Sequence, residues 1–499
     1  MRRTTIVSAG IVAIALAGAG PVVALPAAAA PLQSAVRPAA QPHRECSWLD
    51  FGQGLIMTTA LGSPGRTVGG VRGAGVVEVR PSPYVASQPV VLTSAAVGIP
   101  AQKAGRFGAA VVGAQVSFSD DCADLVVGMP GADGGRGAVV LIPDTGSGFD
   151  PSHAVRLATD SLGLKSGDAL GTALGVVQSA KGTLVVAGAP GRDLPGAKDA
   201  GALVSWWIPI DWSGATPAPA TASIPTPGAP VAYRQGAGGM LGKSEAGDRF
   251  GSVISTTVSS SRITVGIPKE DVGRAKDTGA VARLTFSSGS LAGNDLMWQG
   301  HGLPGRSRSG DQLGAAVVDI GYAEAYGIPG ENANGRADSG AVLVRAPGQS
   351  TFRTITQNTR AVPDTSDKGD RFGAALAAGS GIVAQESATI AVGVPGENAN
   401  HADTGAVTLV TWSGTSFGYT RLNVPGLAAG DRLGSDLVVV SDEPDAEEDT
   451  IDVLLAGAPG EDRPGAKNAG RYYLAARPTG AGAATVYADG RSRGEAFGQ

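Results

Sequence analysis

The sequence predicts an all-β chain folded as a seven-bladed β-propeller, and three observations carry that expectation. One loop is spelled almost identically twice, "GIPGENANGRADSGAV" from Gly327 and "GVPGENANHADTGAV" from Gly393, 66 positions apart. Three short signatures recur in a fixed order along nearly the whole chain. Between them lie short β-branched runs bounded by glycine and proline, the pattern of strands joined by turns.

The first signature is Phe-Gly or Leu-Gly, often preceded by Gly-Asp-x. It begins at Phe51, Phe107, Leu170, Phe250, Leu313, Phe372 and Leu433, with a partial eighth copy at Phe497. The second is Gly-x-Pro, with prolines at 64, 130, 190, 268, 329, 395 and 459. The third is a glycine followed by an apolar run, at Gly75, Gly137, Gly201, Gly279, Gly340, Gly405 and Gly470. From the glycine of Gly-x-Pro to that third glycine is 13 positions in five repeats, 12 in the sixth and 9 in the second. A loop of such constant length is a defined structural object. Each unit holds four strand-like segments, typified by "FGAAVVG" from Phe107, "TLVVAG" from Thr183 and "GAVLV" from Gly340.

Each signature has a physical reason. Small residues such as Gly108, Ala109 and Ala110 suit the crowded innermost strand of a blade. Proline cannot donate a ladder hydrogen bond, so Gly-x-Pro ends a strand and opens a turn. Glycine ahead of the third strand permits backbone that other residues resist. The aspartates of Gly-Asp-x-Phe/Leu-Gly, at 168, 248, 311, 370 and 431, can accept backbone N–H groups and pin the turn.

Composition sets the class. Apolar residues make up 42% of the 499, against 76 glycines, 32 prolines and 17% charged residues. That apolar fraction argues for a folded, turn-rich chain rather than a disordered one. Residues 1–30 read as an export signal: Arg2 and Arg3, an apolar run from Ile6 to Gly18, then an alanine tract from Ala27 to Ala30. Residues 31–45 follow as a linker, and 46–499 as the propeller. Without the signal the net charge moves from −5 to −7, which disfavours nucleic acid as a partner. No later apolar stretch is long enough to span a bilayer. The expectation is a secreted, monomeric protein with an extracellular protein or glycan surface as partner. Cys46 and Cys122, a lone pair in an oxidising compartment, are expected to form a disulfide.

The words "FGSVI" (from Phe250), "VAGAPG" (from Val186) and "AGAPG" (from Ala456) resemble the FG-GAP repeats of the integrin α-subunit propeller and of similar secreted bacterial proteins. The resemblance covers residues 46–499. It implies that loops between second and third strands share one ligand-binding face. It also implies calcium loops between first and second strands, of the form Asp-x-Asp/Asn-x-Asp-Gly-x-x-Asp, and there this sequence departs from the family. Aligned on Asp124, the pattern keeps Asp120 but finds Val116 and Phe118 at ligand positions; aligned on Asp452 it keeps only Glu448. Two acids in one loop do not hold calcium. No cofactor is expected, and Asp442, Asp445 and Asp452 are the remaining metal candidates.

Catalytic chemistry leaves little trace. His43, His153, His301 and His401 are scattered, with no metalloprotease spacing and no Gly-x-Ser-x-Gly elbow. The expectation is therefore no enzyme, but a binding or adhesion module. An extracellular hydrolase or lyase acting on glycan or phospholipid is the alternative. The candidate ligand residues are those of the twice-spelled loop: Glu331, Asn332, Asn334, Arg336 and Asp338, then Glu397, Asn398, Asn400, His401 and Asp403. One interval is long, 80 residues from Leu170 to Phe250. Its excess is a Pro/Ala/Thr-rich outer loop near 211–230, flanked by Trp206, Trp207 and Trp212.

Overall fold

The computed structural model describes residues 59–475 apart from 81–89, 118–122, 145–147, 180, 211–223, 257–260, 288, 322, 381, 383–387, 400, 414–415, 443–450 and 463–469. The export segment, the linker, Cys46, Cys122, Trp212, Asn400, Asp445 and the partial eighth repeat lie outside these residues. So do the side chains of Asp442 and Asp452, whose backbones belong to paired strands.

Seven small sheets follow one another along the chain, each a meander of successive strands. Together they form the seven-bladed propeller that the repeats predict. The innermost strands are Thr59–Ser63, Ala110–Ala114, Leu174–Ser179, Val253–Thr256, Val317–Asp319, Leu376–Ser380 and Asp436–Asp442. Each of the first six touches the innermost strand of the next blade. Blades two, three, five and six have four strands, and blade four gains a two-residue parallel pairing at Gly302–Leu303. Among the described residues, blades one and seven have three.

A blade has no solvent face, because both sides pack on neighbours. Middle strands therefore read as continuous apolar runs rather than as alternation: every residue of Gly182–Ala189, "GTLVVAGA", is buried. Outer strands such as Arg353–Ile355 expose two residues of three. The core is divided into seven clusters, one per junction. Leu141 and Val126 meet Val185 and Trp206 between blades two and three, for example. Leu61 of the first blade meets Val438, Val453 and Leu455 of the seventh, so the ring closes.

The aromatic or leucine of the first signature is the anchor of each junction. Phe107, Leu170, Phe250, Leu313, Phe372 and Leu433 are all at most 1% exposed. Such burial contributes about 1.5–3 kcal/mol per side chain. Five of these anchors, all but Phe107, bridge the third-signature glycine of the preceding blade, as in Gly201↔Phe250 and Gly340↔Phe372. A Cβ on Gly201 would lie 2.3 Å from the Phe250 carbonyl oxygen, and its φ is +83°. No L side chain fits there.

The aspartates behave as expected. Asp168, Asp311 and Asp431 accept the backbone N–H three residues earlier at 3.0, 2.7 and 2.6 Å, and Asp248 and Asp370 do the same. The tryptophans serve packing. Trp206 is fully buried with its indole N–H donating to the Ala158 carbonyl at 2.9 Å, and Trp207 stacks on Phe286.

Gly201→Ala should cost at least about 3 kcal/mol, since it adds a clash to a left-handed backbone. Gly196→Ala, at φ +79° with open space around it, should cost only about 1–2 kcal/mol. Denaturant unfolding of the two variants against the parent checks the difference.

Candidate functional site

The loops after the second strands are built alike. In blades three to six an Asx side chain accepts the N–H of an aspartate five or six residues on: Asp193 from Asp199, Asp271 from Asp277, Asn332 from Asp338, Asn398 from Asp403, all at 2.8–2.9 Å. Each donating aspartate is left-handed, with φ between 50° and 52°. Its carbonyl then accepts the N–H of the residue before the next blade's anchor, as Asp338 does from Arg371 at 3.0 Å. The third-signature glycine closes the loop by donating to the residue after Gly-x-Pro-x: Gly340 to Glu331 at 2.9 Å, Gly405 to Glu397 at 3.0 Å. These bonds explain the constant length and the repeated spelling.

Most of the candidate ligand residues are thus engaged within the scaffold. Glu331 accepts from Gln299 at 2.9 Å and from Arg308 at 2.6 Å. Glu397, 6% exposed, accepts from Gln357 at 2.6 Å. Asn332, Asn398, Asp338 and Asp403 set the loop geometry just described. Asn334, Arg336 and His401 are exposed on the same loops.

The buried acids carry the electrostatic stress of this face. Burial, with the charges of Asp364 and Asp370 adding to it, pushes Glu397 up to about 7. Burial likewise raises Glu270 to about 7 and Asp248 and Asp311 to about 6. A buried carboxylate without a nearby cation is costly, and proton uptake is the usual relief. Deeper between blades four and five, Glu324 is fully buried but neutralised by Arg283 and Arg345, with Arg262 at 3.4 Å.

The calcium alignment on Asp124 has a structural outcome. Its carboxylate accepts N–H groups from Val116 (2.6 Å), Ser117 (2.8 Å) and Asp144 (2.8 Å), and the Ser117 hydroxyl (2.9 Å). Protein donors take the place a cation would hold. Among the described residues no three His, Cys, Asp or Glu side chains converge as metal ligands. Ser152, His153 and Asp150 meet on an exposed turn, but serine and aspartate both approach His153 Nδ1, so the ring cannot relay a proton between them.

One cleft was not anticipated. It has a volume of about 360 Å3 and lies on blade three, between the loop after its second strand and its outer strand Val231–Tyr233 with the turn that follows. Arg192, Asp193, Leu194 and Pro195 form one wall; Tyr233, Arg234, Ala237 and Gly238 form the other. Arg192 donates Nη2 to the Leu162 carbonyl at 2.7 Å, while its buried Nη1 has no hydrogen-bond partner. Among the described residues neither Arg192 nor Arg234 is paired with a carboxylate. The sequence signal was available: "GAPGRD" puts arginine at 192 where blades four to seven put Glu270, Glu331, Glu397 and Glu461.

No protein-family model and no curated protein sequence matches the chain. Solved structures do. An acylaminoacyl peptidase of Pyrococcus horikoshii matches at 9% identity and TM-score 0.37, over 83% of this chain and 48% of its own. A sialidase of Trypanosoma rangeli matches at 11% and 0.34, over 69% and 51%. A prolyl endopeptidase matches at 13% and 0.31, over 84% and 49%. The chain thus spans about half the length of the structures it matches.

The expectation that the protein is not an enzyme is corrected by this set, in which all three are enzymes. The physical reason is that motif spacing detects sites formed within one segment, whereas a propeller assembles residues from separate blades. At these identities and TM-scores the three structures assign this chain no substrate and no catalytic residue.

The raised Glu397 makes a pH prediction. Below about pH 4.5 it is protonated folded and unfolded alike, so the parent and Glu397→Gln should show the same pH dependence. Between there and about pH 7 the folded state binds the extra proton, so the parent loses stability as pH rises. By pH 8 Glu397→Gln should have gained roughly 1–3 kcal/mol relative to the parent. Unfolding midpoints across that range check it.

Proposed function

We propose that this protein is an exported, monomeric propeller of the FG-GAP type that binds an anionic ligand, an acidic glycan or a carboxylate-bearing protein segment, on the face carrying the Gly-x-Pro loops. The observation that carries the reading is the cleft walled by Arg192 and Arg234. Arginine presents a planar fork of donors matched to carboxylates, and the Nη1 of Arg192 is already desolvated and unsatisfied. Arg336 and His401 add donors further round the same face.

Hydrolysis of such a ligand is the second reading. It is favoured by the Glu397 carboxyl, which burial and the charges of Asp364 and Asp370 push up to about 7, the range suited to acid catalysis of hydrolysis.

Binding of acidic against neutral oligosaccharides and peptides, measured by calorimetry, tests the proposal. Arg192→Ala with Arg234→Ala should weaken binding of the acidic member roughly ten- to a hundred-fold, from charge-assisted hydrogen bonds of about 1.5–3 kcal/mol. Arg336→Ala with His401→Ala should change it less. Equal binding of neutral ligands, or unchanged affinity in the cleft variant, would overturn it. Release of a cleaved product selects the second reading.

A further inference from the structure

Blades two to seven share one backbone position, the residue directly before the anchor. It is arginine four times, Arg106, Arg249, Arg371 and Arg432, with Ala169 in blade three and Gln312 in blade five. All six residues are left-handed, with φ between 56° and 60°. All six donate their N–H to a loop carbonyl of the preceding blade: Arg249 to Asp199 at 3.1 Å, for example, and Arg371 to Asp338 and Arg432 to Asp403 at 3.0 Å. Their Cα atoms therefore stand at equivalent places round the face that carries the Gly-x-Pro loops.

The scaffold does not ask for arginine here. Ala169 donates to Gly135 at 3.0 Å and Gln312 to Asp277 at 3.1 Å, so the backbone bond forms whatever the side chain. A left-handed site favours glycine or asparagine, and a long side chain gains nothing from it. The four arginines are exposed. Among the described residues none of them forms an ion pair, even with Asp199, Asp338 or Asp403, whose carbonyls hold three of their backbones. Four free guanidinium groups are thus offered to solvent, on blades that pack roughly 10 Å apart. Arg371 and Arg432 stand on successive blades, and Arg249 is bonded to the loop that also supplies the Arg192 wall of the cleft.

We propose that this array is a binding track for the chain of an acidic polysaccharide, whose carboxylates reach from blade to blade. The inference rests on the reading of this face as anion-binding, and it names the class of ligand: a polymer rather than a single acidic group. A lone exposed guanidinium holds a carboxylate weakly, so only a ligand with many acids gains from the array. Spaced by a whole blade, the arginines match acids that recur at wide intervals, each met by a planar fork of donors. A nucleic-acid strand carries its phosphates far more densely, and the acidic balance of the chain opposes it. The cleft takes one acidic unit, and Arg249, bonded to the loop of its wall, leads the chain on to the track.

The test compares galacturonic acid with long polygalacturonate on the full chain by calorimetry, at equal concentrations of sugar units. The parent should bind the polymer roughly a hundred-fold more tightly, a gain that fades as salt rises. Arg106→Gln, Arg249→Gln, Arg371→Gln and Arg432→Gln together should remove the gain. Glutamine already occupies this backbone position in blade five, so the unfolding midpoint of that quadruple variant should match the parent's. Gln312→Arg extends the array and should increase the gain. A parent that binds polymer no better than monomer would overturn the inference while leaving the cleft reading in place. So would a gain that survives in the quadruple variant, or polyglutamate of matched length binding as tightly as the polysaccharide. A gain lost in the quadruple variant, with monomer binding unmoved by Arg192→Ala with Arg234→Ala, upholds the track and counts against the cleft alone.

Discussion

Everything in this molecule depends on how closely one blade's backbone approaches the next. At the Gly188 position a Cβ would sit 1.8 Å from the Gly251 carbonyl oxygen, and the same pairing recurs around the ring, with Gly266 against Gly314 and Gly393 against Gly434. The approach is backbone on backbone. It lets Phe250 or Leu313 insert fully into the seam beside it, so close contact and apolar burial are a single device. It also explains the glycine content: the residue is placed where a Cβ cannot go, rather than spread as flexible filler.

Once blades are that close, polar groups at the seam cannot be left to water. The Gly-x-Pro loops meet this need with a fixed set of bonds, from Asx closure to the carbonyl that accepts from the next blade. Carboxylates are used as acceptors for backbone N–H groups, and their burial shifts their proton affinity upward. Where an arginine reaches the seam the charge is matched; where it does not, the seam holds acid against acid. The scaffold is therefore electrostatically uneven even though its backbone is nearly periodic.

The backbone periodicity was legible in the residues, and the uneven part was not. Seven units, anchor positions and turn-pinning aspartates follow from spacing, because the same steric demand selects the same residue at each junction. The loop "GENAN" misled as to role: Glu331 and Asn332 look like surface acceptors, but Asn332 closes its own loop on the Asp338 N–H, and Glu331 meets Gln299 only once the blades are assembled. The cleft at Arg192 was hidden for a related reason. Its second wall, around Arg234, comes from an outer strand whose sequence, "VAY", carries no signature.

The feature with most chemical consequence, the Arg192 cleft, arises where the loop does not carry the acid of blades four to seven. Position 192 carries arginine, as position 66 does in blade one, where blades four to seven carry glutamate. A departure at a solvated turn would be silent. Arg192 is instead tied to the Leu162 carbonyl at 2.7 Å, so its charge is held beside the cleft. In a repeat protein of this kind the scaffold rule is read from what recurs, and the sites of recognition are read from the positions that break it.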